Sequence, residues 1–236
     1  MKKCLLFLLV FFVSCSSSIN NEDISWQPSK KLWLHRVNDT TKAQFFQYKY
    51  SGFEVDIQYI DTLGTFVVAH DVDKQFTLTL EKWVSAIQNI DSLGLWLDFR
   101  NLSGAICNRA ANELVRIFKN RTQLTIVESF NPKDLAPFSL NGFVTSYYIP
   151  YFEPHTTDTL KLNAVIKEIS KALEYQCVNC VSGYAHQYDL LRNYFPNVPK
   201  LLWYVQTDVE SRNYYENLVS NDETVKVLLV YDDINR

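Results

Sequence analysis

Glu54 and Asp56 stand two residues apart in the segment GFEVDIQY, so on an extended strand both carboxylates point to one face and can share a hard cation. Apolar Phe53, Val55 and Ile57 alternate with them, a pattern that turns the acids toward the inside or the rim of a barrel rather than to solvent. Unpaired charges there are costly, and a cation relieves their repulsion. Asp98, between Leu97 and Phe99 in an apolar run, falls under the same argument. Three carboxylates offering oxygen suit Mg2+ or Ca2+, whereas zinc would draw more often on histidine or cysteine. His35 in LHRVND and His70 in FVVAHD are then left for proton transfer, one activating a nucleophile and the other protonating a leaving oxygen. With a cation to neutralise phosphate oxygens, this set could cleave a phosphodiester. Arg36 and Arg100 could hold the phosphate through the fixed fork of guanidinium, although a salt bridge to Asp39 or Asp71 explains Arg36 equally well. Glu128 can reach the same rim in a supporting role, while His155 and His186 have no motif around them and read as surface or loop residues.

These side chains need elements that bring them together. Eight short apolar segments have strand character, near residues 32–36, 52–58, 94–99, 123–129, 141–147, 178–183, 199–206 and 225–231. Helical stretches fill most gaps, at 40–50, 79–90, 103–119, 159–174, 184–194 and 209–218, with Thr79, Ser103 and Asp208 as caps. NPKDLAPF offers a short helix with Pro132 near its start. Strand and helix alternating eight times predicts a (β/α)8 TIM barrel, with a doubly wound open sheet as the runner-up. In a barrel the loops after the strands share one rim. His35, Glu54, Asp56 and Asp98 all lie at or near strand ends, and FVVAHD can extend the second strand as a hairpin that carries His70 to the same rim.

The 236 residues, 47% hydrophobic and without an internal repeat, fit one domain over 31–236. Ahead of it, residues 1–14 have a secretory signal pattern too short for a spanning helix. The run ends at Ser14 and Cys15, which resembles a bacterial lipoprotein signal: cleavage before Cys15, lipidation of its thiol, and a Ser/Asn/Asp/Glu-rich tether over 15–30. An ordinary secretory signal is the alternative. Either way the expected place is outside the cytoplasm, and for a lipoprotein it is the cell envelope, at the outer membrane. Losing Lys2 and Lys3 takes the formal charge from −3 to −5, with the charges interspersed; no basic stripe suggests nucleic acid, and a monomer is expected. Cys107, Cys177 and Cys180 remain in the domain, and CVNC reads as packing around a buried strand or a local disulfide rather than as a zinc site. The 5 Trp, 14 Tyr and 15 Phe suit a sizeable core, and some of them near the rim could contact lipid or sugar.

The motifs LHRVND, GFEVDIQY, FVVAHD, LWLDFRNL, VESFNPKDL and LLWYVQTD, in this order, resemble the phospholipase C-like phosphodiesterase superfamily. That group includes the glycerophosphodiester phosphodiesterases, the sphingomyelinases D and the menorin-like proteins. HRVND has Val37 and Asn38 where the glycerophosphodiesterases usually have glycine, and Asp98 with Arg100 stands where they carry Glu-x-Lys; both features look more like the sphingomyelinase D and menorin-like branches. The resemblance implies a (β/α)8 barrel, Mg2+ or Ca2+ on Glu54, Asp56 and Asp98, His35 and His70 as the acid/base pair, and Trp203 as part of the pocket lining. The implied substrate is a phosphodiester, either a small molecule or a lipid headgroup. Two rivals stay open: a barrel that has lost turnover and serves as a binding module, and a glycoside hydrolase, which would leave both histidines unemployed.

Overall fold

The computed structural model describes residues 31–71, 77–153, 158–204 and 209–232. Eight parallel strands close into a ring: β1 (Leu32–Leu34), β2 (Gly52–Ile60), β4 (Gly94–Phe99), β5 (Thr125–Ser129), β6 (Val144–Tyr148), β7 (Cys180–Tyr184), β8 (Lys200–Trp203) and β9 (Val225–Val230). β1 joins the two ends, pairing with β9 through three residues and with β2 at Leu34 and Phe53. The expected TIM barrel is therefore the architecture, and the open sheet is excluded. The ninth strand, β3 (Thr65–Val68), is antiparallel to β2 and prolongs it as a hairpin. Gly64, at φ 61°, takes the left-handed position in that turn, where a side chain would be strained.

Helices cover the outside: α1 (Thr40–Phe46), α2 (Leu80–Ser85), α3 (Cys107–Phe118), α4 (Ala136–Leu140), α5 (Thr159–Leu173), α6 (Tyr188–Tyr194) and α7 (Val209–Ser220). Asp39 and Thr79 cap α1 and α2 by accepting from the backbone N–H of Lys42 and Lys82. Ser103 does not cap α3. Its carbonyl accepts from the N–H of Ile106 and Cys107 in a turn ahead of the helix, which starts four residues later than the sequence suggests. Asp208 lies outside the described residues. Pro132 opens a short 3-10 turn that runs into α4, matching the short helix read in NPKDLAPF. Among the described residues no helix is long and apolar enough to cross a membrane.

Alternation along β2 now has its reason. Phe53, Val55 and Ile57 face outward into the layer shared with α1 to α3, while Glu54 and Asp56 face the barrel interior. Below the acids the interior is filled by Trp33, Trp96, Ile126, Val144, Cys180, Leu201, Val227 and Leu229. Trp33 forms the floor. A Cβ on either Gly52 or Gly94 would overlap its indole, so the two glycines that open β2 and β4 leave the space the ring occupies. With the lower barrel packed by these side chains, the clustered acids and the imidazoles lie at the rim, at the strands' C-terminal ends.

Cys107, Cys177 and Cys180 are all free thiols. β7 starts at Cys180, two residues later than expected, and Cys180 points into the barrel, where its thiol donates to the Thr145 carbonyl at 3.3 Å. Cys177 meets the Pro132 carbonyl at 3.3 Å. The CVNC segment therefore packs and does not form the local disulfide.

Candidate active site

A cavity of about 230 Å³ opens at the C-terminal rim. All eight residues named from the sequence line it: His35, Arg36, Glu54, Asp56, His70, Asp98, Arg100 and Trp203, together with Glu128. The strand register explains the convergence of the acids, since Asp56, Asp98 and Glu128 are level with one another on adjacent strands β2, β4 and β5.

The loop after β1 builds one wall. The His35 N–H donates to the Val230 carbonyl, tying the loop to β9. Arg36 then takes φ 54°, an uncommon left-handed conformation for a side-chain-bearing residue, and this aims its backbone N–H at Glu54 Oε2, 2.7 Å away. Asn38 clasps Asp56 from both sides: its Nδ2 donates to Asp56 Oδ2 at 2.6 Å, and its Oδ1 accepts from the Asp56 N–H at 2.9 Å. Lys42 staples the loop from below, donating to the carbonyls of His35 and Arg36 and pairing with Asp232 at 3.2 Å. Asp39 is used as a helix cap and Asp71 meets His70, while Arg36 lines the cavity.

The β2–β3 hairpin delivers His70. The Ala69 N–H donates to the Asp56 carbonyl and Gln58 Nε2 donates to the Ala69 carbonyl, so the residue before His70 is held through both its N–H and its carbonyl. His70 Nδ1 lies 2.6 Å from Asp71 Oδ1, which leaves Nε2 as the nitrogen able to meet a substrate. His35 Nε2 is 3.4 Å from Glu54 Oε2.

Burial sets the electrostatics. Glu54 and Asp56 are 3% and 2% exposed. Oxygens of Glu54, Asp56 and Asp98 all lie within 4.8 Å of one another. Desolvation, then repulsion from Asp56 and Asp98, pushes the Glu54 carboxyl well above its ordinary range. Asp98 is pushed up to about 6, mainly by burial and further by Asp56, against the pull of Arg100, whose Nη1 lies 2.9 Å from Asp98 Oδ2. Glu128 is raised by burial and by Asp98. Burial, then the cations Arg36 and Lys42, bring His35 down to about 3, so its ring is neutral at pH 7. Oxygens that share one Mg2+ or Ca2+ at about 2.0–2.6 Å stand no more than about 5 Å apart, and three oxygen donors of excess negative charge are the set such a hard cation takes. The three acids therefore fit a divalent cation.

Several contributors were not read from the sequence. Asn38 and Lys42 each act through a loop geometry that spacing does not reveal. Phe130, Tyr148, Tyr184 and Tyr231 complete the cavity as an aromatic wall, visible beforehand only as a high aromatic content. Trp203 is central to it, with ring centroids 4.9 Å from Tyr148 and 5.1 Å from Tyr184. His186 is not a plain surface residue: it is half-buried and stacks on Tyr184 at 5.1 Å, because β7 ends in a tight 3-10 turn (Ala185–Gln187). His155 lies outside the described residues.

No protein-family model and no curated protein matches the sequence. Solved structures do match in fold, among them glycerophosphodiester phosphodiesterases and a phospholipase C. A glycerophosphodiester phosphodiesterase from Parabacteroides distasonis superposes with a TM-score of 0.57 at 15% identity, over 86% of this chain and 93% of its own. A phosphodiesterase from Oleispira antarctica, in complex with the product sn-glycerol-3-phosphate, gives 0.55 at 12% identity over 85% and 92%. A calcium-dependent phosphoinositol-specific phospholipase C from a Pseudomonas species gives 0.52 at 10% identity over 85% and 88%. At such identities the shared property is the fold.

Proposed function

We propose that the chain is a metal-dependent phosphoric diester hydrolase acting on a glycerophosphodiester or a phospholipid-derived headgroup. The observation that carries this reading is the placement of Glu54, Asp56 and Asp98 together with two imidazoles in one rim cavity. The three carboxylates would hold Mg2+ or Ca2+; when bound, the cation neutralises phosphate oxygens and stabilises the charge that builds on them. The matching folds support the reading, because one such protein is calcium-dependent and another holds a glycerol phosphate product.

The protein's own groups supply the rest. His35, neutral and buried, takes a proton from the attacking oxygen. His70 presents Nε2 while Asp71 holds Nδ1, an orientation suited to giving a proton to the departing alcohol. Arg36 and Arg100 on the cavity wall hold phosphate oxygens, with Arg100 free to turn from Asp98 once that acid serves the cation. Asn38 and the Arg36 N–H keep Asp56 and Glu54 from rotating away. Trp203 shapes the side of the cavity that receives the alcohol. The N-terminal motif supports a protein held at the outer membrane through a lipid on Cys15.

The test is release of product from bis-p-nitrophenyl phosphate and from glycerophosphodiesters with Mg2+ or Ca2+ present. Chelator should abolish activity in the wild type, and His35→Asn should lower kcat by about 10²–10⁴-fold while keeping the metal-dependent rise in Tm. Binding of glycerol phosphate esters with no product by phosphorus NMR would overturn the enzymatic reading in favour of a binding module.

A further inference from the structure

The cavity divides by strand. β1 to β4 contribute the imidazoles and the three clustered acids, whereas the ends of β5 to β8 contribute Phe130, Tyr148, Tyr184 and Trp203. Ring centroids of Phe130 and Tyr148 are 4.2 Å apart, those of Tyr148 and Trp203 4.9 Å, and those of Trp203 and Tyr184 5.1 Å. Each pair is tilted, by 55°, 49° and 49° respectively, so the rings that line the cavity do not present one flat platform.

Glu128 stands at the seam between the halves. It is 4% exposed, faces the cavity beside Asp98, and does not belong to the three acids whose oxygens cluster. Ser182 and Trp96 stand near enough to ease its charge. Even so, neither Glu128 Oε2 nor the Trp96 indole N–H has a hydrogen-bond partner of normal geometry among the described residues. A buried carboxylate oxygen without a donor is costly, and a ligand that brings a donor removes that cost.

The two features select the same chemistry. Aromatic faces attract a cation, and Oε2 needs an N–H or O–H. A neutral polyol meets the oxygen but gains little from the rings. A quaternary ammonium meets the rings but has no N–H to offer. A primary ammonium satisfies both. We propose that Glu128 and the aromatic wall form a subsite for a primary ammonium group carried by one alcohol of the phosphodiester. This rests on the hydrolase reading above and names the substrate class that the same site takes.

The experiment compares glycerophosphoethanolamine, glycerophosphocholine and glycerophosphoglycerol on the wild type and on Glu128→Gln, with Mg2+ or Ca2+. The wild type should prefer the ethanolamine ester by about 10- to 100-fold in kcat/KM, the range expected of one hydrogen bond to a charged group. Glu128→Gln should reduce that ratio to near one, chiefly through KM, and should keep the metal-dependent rise in Tm. Equal rates on all three esters in the wild type, or preference for the choline ester, overturns the subsite. Loss of the metal response in Glu128→Gln overturns it too, by making Glu128 a ligand. If no ester is hydrolysed, the hydrolase reading falls separately and calorimetry decides the subsite. Tighter binding of the ethanolamine ester by the wild type alone supports it, and equal or absent binding refutes it.

Discussion

Asp98→Asn tests the electrostatics of the acid cluster most directly, because it removes one charge and leaves the side chain's shape. In the metal-free protein the Asp98 carboxyl is pushed from 3.8 to about 6. At 1.36 kcal/mol per pH unit that displacement costs the fold about 3 kcal/mol once the group is ionised. The sign follows from proton counting. Below pH 3.8 folded and unfolded chains both hold the proton. Between 3.8 and about 6 only the folded chain keeps it, so stability falls as pH rises; above 6 the full cost persists. For a chain of this size about 3 kcal/mol corresponds to about 6–12 °C in Tm. The attraction of Arg100 is already deducted in that displacement, so Asp98→Asn should raise the metal-free Tm at pH 7 by about 6–12 °C and flatten its decline between pH 4 and 6.5. A cation at 100 times its dissociation constant should stabilise the wild type by about 2.7 kcal/mol and the variant far less. The assay is thermal unfolding followed by circular dichroism, from pH 4 to 8, in chelator and in excess Ca2+ or Mg2+. A variant less stable than wild type in chelator at pH 7, or one that retains the whole metal response, would refute the reasoning.

Two further outcomes follow from the geometry. Asn38→Ala removes both hydrogen bonds that orient Asp56, and calorimetry should show metal affinity weakened by about 10- to 100-fold, as for other groups that position a metal ligand; unchanged affinity would mean the clasp is idle. Gly94→Ala drives a methyl into the Trp33 indole and should cost at least about 1–3 kcal/mol in urea unfolding. Trp33→Leu in the same chain should restore part of that loss, and a neutral Gly94→Ala would show that the barrel floor yields.

The strands were legible because a parallel barrel buries both faces of each strand, leaving short apolar runs that stand out against the polar turns. Their order, the β2–β3 hairpin and the short helix at Pro132 could be read for the same reason. Starts were less legible. α3 begins after a turn in which the Ser103 carbonyl, not its side chain, takes the first N–H groups, and β7 begins at Cys180 because the segment before it is held by hydrogen bonds to Thr145 and Pro132.

The site divides along the same line. Residue type and spacing alone determined that Glu54 and Asp56 share a face, that His35 and His70 flank that pair in sequence, and that Asp98 is an acid in an apolar strand, since these are properties of short segments. Only the closed barrel decided that Asp56, Asp98 and Glu128 stand level, because register between strands is set by pairing and by the Trp33 floor rather than by any one segment. Tertiary structure also decided the neutral state of His35, which depends on burial against Arg36 and Lys42, and the aromatic wall, whose rings come from strands far apart in the chain. Charge state and cavity shape are sums over neighbours, and the neighbours exist only once the ring has closed.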